Sequence, residues 1–175
     1  LPSKGRVLII PHDYPDPAAL ASAAAMHLLL AERFHVQGQI VFTGSVSRAE
    51  NRELLNHCRY RWHQLEDLRV PGSRVPCVFV DTAPWSGNVT VPSFAKPVAI
   101  FDHHPFKSKK RWSDVFSDIR VGTGATASMV YECLTAAGIM VPKWLASIMA
   151  YAIAAETLDL SRSCTDLDLE AYTTL

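Results

Sequence analysis

What this chain lacks narrows its chemistry before any motif is considered. Its four cysteines, Cys58, Cys77, Cys133 and Cys164, are scattered and form no C-x-x-C pair. That spacing favours neither a zinc knuckle nor a disulfide framework, and reads as reduced thiols in a cytoplasmic protein. No stretch approaches the roughly 18 apolar residues of a membrane-spanning helix, and the N-terminal residues carry no secretory pattern. Charge of one sign is not in excess, since seventeen basic residues face seventeen acidic ones. A surface built to coat long duplex nucleic acid would be basic, so that class of partner is not expected. The P-loop lysine and the G-x-G-x-x-G spacing are both missing. No internal repeat or low-complexity segment occurs beyond an alanine-rich stretch near residue 20.

What is present fits one globular domain. The 175 residues are 49% hydrophobic, enough for a sizeable core. Apolar runs alternate with helical patterns, which predicts an α/β fold, a mostly parallel sheet flanked by helices on both faces. Strands are expected at 7–10, 39–43, 75–80 and 98–101, and helices at 18–34, 49–58, 129–134 and 142–155. Asp16 and Pro17 read as N-cap and first turn of the first helix. Ser47 to Glu50 has the S-x-x-E form of a capping box, and a start with Glu50 in the first turn is equally allowed. Residues 62–68 read as a polar connector or a short helix, and 84–97 as mostly loop. The chain opens almost directly into a strand and stops in a helix without a stop signal, which we read as the first domain of a longer protein.

Chemistry gathers where the apolar runs end. Val7–Ile10 is followed by Pro11-His12-Asp13-Tyr14-Pro15-Asp16-Pro17, a loop stiffened by three prolines. Val75–Val80 ends in Asp81, and Val98–Phe101 in Asp102-His103-His104. Carboxyl ends of parallel strands are where ligands collect. Alternation along an extended strand places Asp102 and His104 on one side and His103 on the other, unless the chain turns at Pro105. Asp16 is equally well explained as a cap or a ligand. Gly122-Thr123-Gly124-Ala125-Thr126-Ala127-Ser128 opens a helix and offers N–H groups and hydroxyls to a phosphate, or else serves close packing. Arg48 and Asn51 either face a ligand or sit on a solvated helix start. Four basic residues between Lys107 and Arg111 form a solvated loop or meet a polyanion. An acid at Glu156 or Asp159 completes an inventory of carboxylates and imidazoles, a donor set that suits Mn²⁺ or a similar divalent ion better than thiolate-bound zinc.

These residues, in this order, resemble the DHH phosphoesterase superfamily. The resemblance rests on His12-x-x-Pro15-Asp16-Pro17-Ala18-Ala19, Val80-Asp81, Asp102-His103-His104, Gly124-Ala125-Thr126-Ala127-Ser128 and Ala155-Glu156-Thr157, and it spans nearly the whole chain. It looks closest to the bacterial branch of oligoribonucleases and nucleotide phosphatases. The resemblance implies a Rossmann-like DHH domain over residues 1–175, without the superfamily's C-terminal substrate-binding domain. It implies two Mn²⁺ ions, with Mg²⁺ or Co²⁺ as substitutes. His12 and Asp16 would hold the first ion, Asp81 would bridge, and His103 with Glu156 would hold the second. His104 would contact the phosphate and Asp102 would orient a neighbouring imidazole; Arg48, Asn51, Thr126 and Ser128 are candidate substrate contacts. The implied substrate is a short oligonucleotide or a nucleotide, with pyrophosphate and polyphosphate as alternatives. Ala18 departs from the pattern, because the family has an aspartate there, and Glu156 replaces another. Both changes fall on one metal position, so a weakened second site is expected; a degenerate nucleotide-binding module without hydrolysis is the competing expectation.

Overall fold

A computed structural model describes residues 6–69, 74–105 and 114–175. The basic run from Lys107 to Arg111 lies outside the described residues. Among the described residues six strands form one sheet in the order β3-β2-β1-β4-β5-β6. They are β1 (Val7–Ile10), β2 (Gly38–Phe42), β3 (Trp62–Gln64), β4 (Val75–Val80), β5 (Ala95–Asp102) and β6 (Phe116–Ile119), and every pairing is parallel. The centre of the sheet is the most apolar part. Ile9 pairs with Ile40 on one side and Val78 on the other, and all four residues of β1 are buried. A strand buried on both faces reads as a continuous apolar run, as this one does.

The described residues also form five α-helices: α1 (Pro17–Phe34), α2 (Ala49–His57), α3 (Thr126–Ala136), α4 (Lys143–Glu156) and α5 (Asp166–Thr174). Helix α1 begins as expected, with Asp16 accepting the N–H of Ala19 at 3.0 Å and Pro17 in the first turn. Such a cap contributes about 1 kcal/mol. Residues Ala18 to Met26 are all buried, and their small side chains let α1 approach both the sheet and its neighbours α3 and α4. These helices share one core with Ile9, Ile40, Val80 and Phe101. The second face of the sheet, with Leu8, Ile10, Phe79 and Ile100, is covered by the 3-10 turn Leu65–Asp67 and by Trp85, Val89 and Phe94 of the loop before β5. Among the described residues the flanking helices therefore divide unevenly, long ones on one face and a single short turn on the other.

Several local expectations are corrected. The N-cap of α2 is Arg48, without a side-chain capping bond, so the Ser47–Glu50 box does not form. Residues 62–64 form the edge strand β3 before the helical turn. Strand β5 starts at Ala95, inside the stretch expected as loop, and its pairing with β4 shifts between Cys77 and Val78. Pro97 lies at that shift and has no N–H to donate, which is where parallel pairing slips most readily. Strand β6 has a polar, half-exposed sequence and no apolar run to announce it.

Candidate metal centre

Strand order places the centre. From β1 the chain moves to β2 and β3 on one side, and from β4 to β5 and β6 on the other. The crevice between β1 and β4 is thus the switch point of the sheet, the position where such folds bind ligands. His12 follows β1 and Asp81 follows β4, so the two residues straddle it. Asp81 is 1% exposed and its backbone is left-handed, with φ of 58°. A non-glycine residue held there costs on the order of 1–3 kcal/mol and persists where its surroundings enforce it. The enforcing contacts are its own N–H to the Phe101 carbonyl and its Oδ1, which accepts the Thr126 hydroxyl at 2.7 Å.

Two imidazoles bracket that carboxylate. His12 Nε2 lies 3.8 Å from Asp81 Oδ2, and His103 Nε2 lies 3.5 Å from Asp81 Oδ1. Each ring is oriented by a backbone carbonyl: His12 Nδ1 donates to Asp13 at 2.8 Å, and His103 Nδ1 donates to Thr123 at 2.8 Å. With Nδ1 donating to a carbonyl, Nε2 is the nitrogen left to offer a lone pair once it gives up any proton of its own, the arrangement a metal-binding histidine needs. His103 Nε2 is buried and has no hydrogen-bond partner among the described residues. A buried orphan of this kind is costly unless a further group meets it. Asp16 Oδ1 is 3.6 Å from His12 Nε2. Donor atoms of His12, Asp16 and Asp81 lie within 4.8 Å of one another, and so do those of Asp81, His103 and His104. Asp81 belongs to both sets. Oxygen and imidazole donors sharing one buried carboxylate fit a hard or borderline divalent ion.

His104 departs from strict strand alternation. Strand β5 ends at Asp102, and beyond it His103 and His104 both turn toward Asp81, with ring centroids 4.2 Å apart. Asp102 is buried and its Oδ1 accepts from His104 Nδ1 at 2.8 Å and from the His104 N–H at 3.2 Å. The imidazole that Asp102 touches is therefore His104.

The electrostatics follow from packing acids and imidazoles together. Burial alone would push the pKa of His12 down, but the Asp16 carboxylate, the Asp13 carbonyl and Asp81 outweigh it and raise the value to about 9. Asp16 is held below the usual carboxylate range: burial opposes ionisation, but His12 and the Ala19 N–H overcome it. Asp81 shifts upward through burial and the nearby Asp16, partly offset by the histidines and Thr126. His104 is raised, first by its bond to Asp102. Glu156 is raised by burial and by Asp16 and Asp81. It thus feels the cluster, although its oxygens fall outside both close sets. Asp159, the alternative acid, is exposed in a left-handed turn formed by Leu158, Asp159 and Leu160.

The remaining sequence-nominated residues are placed as follows. Ala18 is 1% exposed, two residues into α1 from the Asp16 cap. Thr126 and Ser128 are fully buried, and the Thr126 hydroxyl serves Asp81. Asn51 is buried with its Oδ1 unpaired among the described residues, whereas Arg48 is exposed. The glycine-rich opening of α3 does not present all its N–H groups to a ligand. Those of Gly124 and Ala125 are bound by Asp168, at 2.8 and 3.1 Å. Asp168 also accepts from the Thr165 N–H and hydroxyl, closing a capping box at the start of α5. Sequence reasoning passed over Asp168, although T-x-x-D at 165–168 is the form of such a box. It passed over Asp13 as well, whose carboxylate accepts from the Thr90 N–H at 2.9 Å and hydroxyl at 2.7 Å. That clasp fastens the loop over the second sheet face to the His12 loop. Nothing in the sequence marks Thr123, which acts through its backbone carbonyl.

No family model matches the chain. It is 30% identical over 168 residues to an uncharacterized protein of Methanocaldococcus jannaschii, covering 96% of this chain and 34% of that protein. Among solved structures it is similar to a candidate family II inorganic pyrophosphatase of Methanococcus jannaschii, with a TM-score of 0.65 and 19% identity, covering 96% of this chain and 54% of that one. It is similar also to an exopolyphosphatase-related protein from Bacteroides fragilis, with a TM-score of 0.64 and 10% identity, covering 97% and 52%. The chain spans about a third of the relative's length and about half of each solved chain. What it shares with the two solved proteins is the fold: a six-stranded parallel sheet flanked by helices.

Proposed function

We propose that this chain is the DHH-type domain of a divalent-metal-dependent phosphohydrolase. The observation that carries the reading is the buried, unpartnered Nε2 of His103, aimed at an Asp81 carboxylate that His12 approaches from the other side. Mn²⁺ or a similar divalent ion suits these donors; His12, Asp16 and Asp81 would hold one ion and Asp81, His103 and Glu156 a second. When bound, such ions activate water and polarise a phosphoryl oxygen. The chain's own residues do the rest. Asp81 joins the two halves of the site, and Asp13 and Thr123 fix the imidazoles. Asp102 holds His104 as a donor toward the negative charge of a phosphate.

The substrate in this reading is a short oligonucleotide or nucleotide, taken up in the cytoplasm. The resemblance of the motifs to the oligoribonuclease and nucleotide phosphatase branch supports it, and the balance of seventeen basic and seventeen acidic residues favours a small substrate over long duplex nucleic acid. No helix among the described residues is long and apolar enough to cross a membrane. Mn²⁺-dependent release of mononucleotides from a dinucleotide is the expected activity. Cleavage of pyrophosphate without any cleavage of the dinucleotide would overturn the substrate and leave the reaction class standing.

Two other readings each have an observation in their favour. The pyrophosphatase name of one structural neighbour and the polyphosphatase relation of the other support a phosphoanhydride substrate. Ala18 supports a nucleotide-binding module without turnover, since it removes a carboxylate where the second ion would sit. Calorimetry with Mn²⁺ separates enzyme from module: two tight sites favour turnover, and one or none favours binding alone.

A further inference from the structure

Tyr14 is 67% exposed, yet both its backbone and its ring make defined contacts. Its backbone is left-handed, with φ of 53°, and its N–H donates to the Thr43 carbonyl at 2.9 Å. Its ring lies flat on Gly44, so close that a Cβ on that glycine would stand 2.6 Å from both Cδ1 and Cε1 of the tyrosine. Gly44 itself has φ of 86°, and its carbonyl accepts from Gln64 Nε2 at 3.1 Å. One side of the ring is thus seated on backbone that is anchored in turn, and the rest is left to solvent. An aromatic ring immobilised at the surface has already lost its rotamer freedom, and a flat ligand that covers it does so without that cost.

Its position gives this arrangement a use. Tyr14 is two residues from His12 and two from Asp16, so its Cα lies within about 7.6 Å of theirs, the limit set by two trans peptides. It stands past the C-terminal ends of β1 and β2, in the loop that carries His12 and Asp16 to the crevice. We infer that Tyr14, backed by Gly44, is a stacking platform that makes this site select phosphoesters carrying a nucleobase over bare pyrophosphate. The inference rests on the phosphohydrolase reading and names which substrate that site prefers. A base lends its π-face to such a platform whatever its identity, so the preference is for bases in general.

The test is titration calorimetry on the Mn²⁺-loaded protein with AMP, ribose 5-phosphate and pyrophosphate. Tyr14→Asn removes the ring while keeping a side chain that tolerates left-handed backbone, and Tyr14→Trp enlarges the platform. AMP is expected to bind the parent protein more tightly than ribose 5-phosphate. Tyr14→Asn weakens AMP roughly 5- to 150-fold and leaves pyrophosphate within about twofold, whereas Tyr14→Trp holds or tightens AMP. If Tyr14→Asn leaves AMP unchanged, or weakens AMP and pyrophosphate alike, the ring merely covers Gly44 and the platform is overturned while the phosphohydrolase reading stands. If the parent protein binds none of the three ligands, both fall together.

Discussion

Asp168 accepts the backbone N–H of Gly124 at 2.8 Å across 44 residues of sequence, tying the last helix to the turn that opens α3. That turn also carries Thr123, which orients His103, and Thr126, which holds Asp81. The carboxylate is fully buried and meets the N–H groups of Gly124, Ala125 and Thr165. Replacing Asp168 with Ala leaves these donors without an acceptor and is expected to cost about 3 kcal/mol or more. Asn keeps one acceptor oxygen and loses less. Urea unfolding of both variants checks the order.

The same carboxylate gives stability a sign in acid. Burial opposes its ionisation, but the Thr165 hydroxyl and the Thr165 and Gly124 N–H groups hold its pKa below the ordinary 3.8. A group depressed in the folded state contributes stability above its unfolded pKa and loses it as pH falls through the folded value. Parent protein is therefore expected to lose stability below about pH 4, with Asp168→Asn lacking that part of the slope. Unfolding free energies between pH 3 and pH 6 measure the difference.

Gly124 admits no side chain. An added Cβ would lie 2.6 Å from Thr157 Cγ2, 2.8 Å from Asp168 Oδ2 and 2.9 Å from the Ser163 carbonyl. The last of these is backbone and cannot swing aside. Gly124→Ala is expected to destabilise by about 1–3 kcal/mol and to weaken Mn²⁺ binding through Thr123 and Thr126, as read by thermal melts with and without the ion.

Ala18→Asp places a second carboxylate in the first turn of α1, buried close to Asp16. Without metal, that unpaired acid is expected to lower stability by about 1–3 kcal/mol. With Mn²⁺ present, the loss reverses and calorimetric stoichiometry rises from one ion to two. A variant that loses stability and gains no ion would count against a second site at this position.

Metal and proton compete for His12. In the metal-free protein this imidazole keeps its proton up to about pH 9, and an ion binding Nε2 must displace it. Apparent Mn²⁺ affinity is expected to rise between pH 7 and pH 9 by up to about tenfold per unit. Calorimetry in buffers of different ionisation enthalpy should register about one proton released per ion, and His12→Gln should remove that release.

Much of the centre was legible because polar residues terminate apolar strands. His12, Asp81 and Asp102 each follow a run whose burial admits only a strand, and parallel strands deliver their ends to one rim. Asp16 was legible as a cap because Pro17 follows it. What escaped notice acts across the chain or through the backbone. Asp168 bonds to Gly124 only once α5 has docked, and locally it looks like an ordinary helix start. Asp13 and Thr123 contribute carbonyl oxygens, which every residue type possesses. Strands β3 and β6 escaped because edge strands keep one side in water and need no apolar run. The side on which His104 lies followed from where β5 stops, which depends on pairing with β6 rather than on the residues themselves.

The spread of the cluster from residue 12 to residue 168 carries a consequence for synthesis. As the chain leaves the ribosome, His12 and Asp16 emerge first, Asp81 and His103 much later, and the clamp on Gly124 last of all. No fragment ending before Asp168 holds both the donors and the clamp. Contacts of such long range form slowly, so the nascent polypeptide carries an incomplete grip on any ion until nearly all of these 175 residues are free to fold.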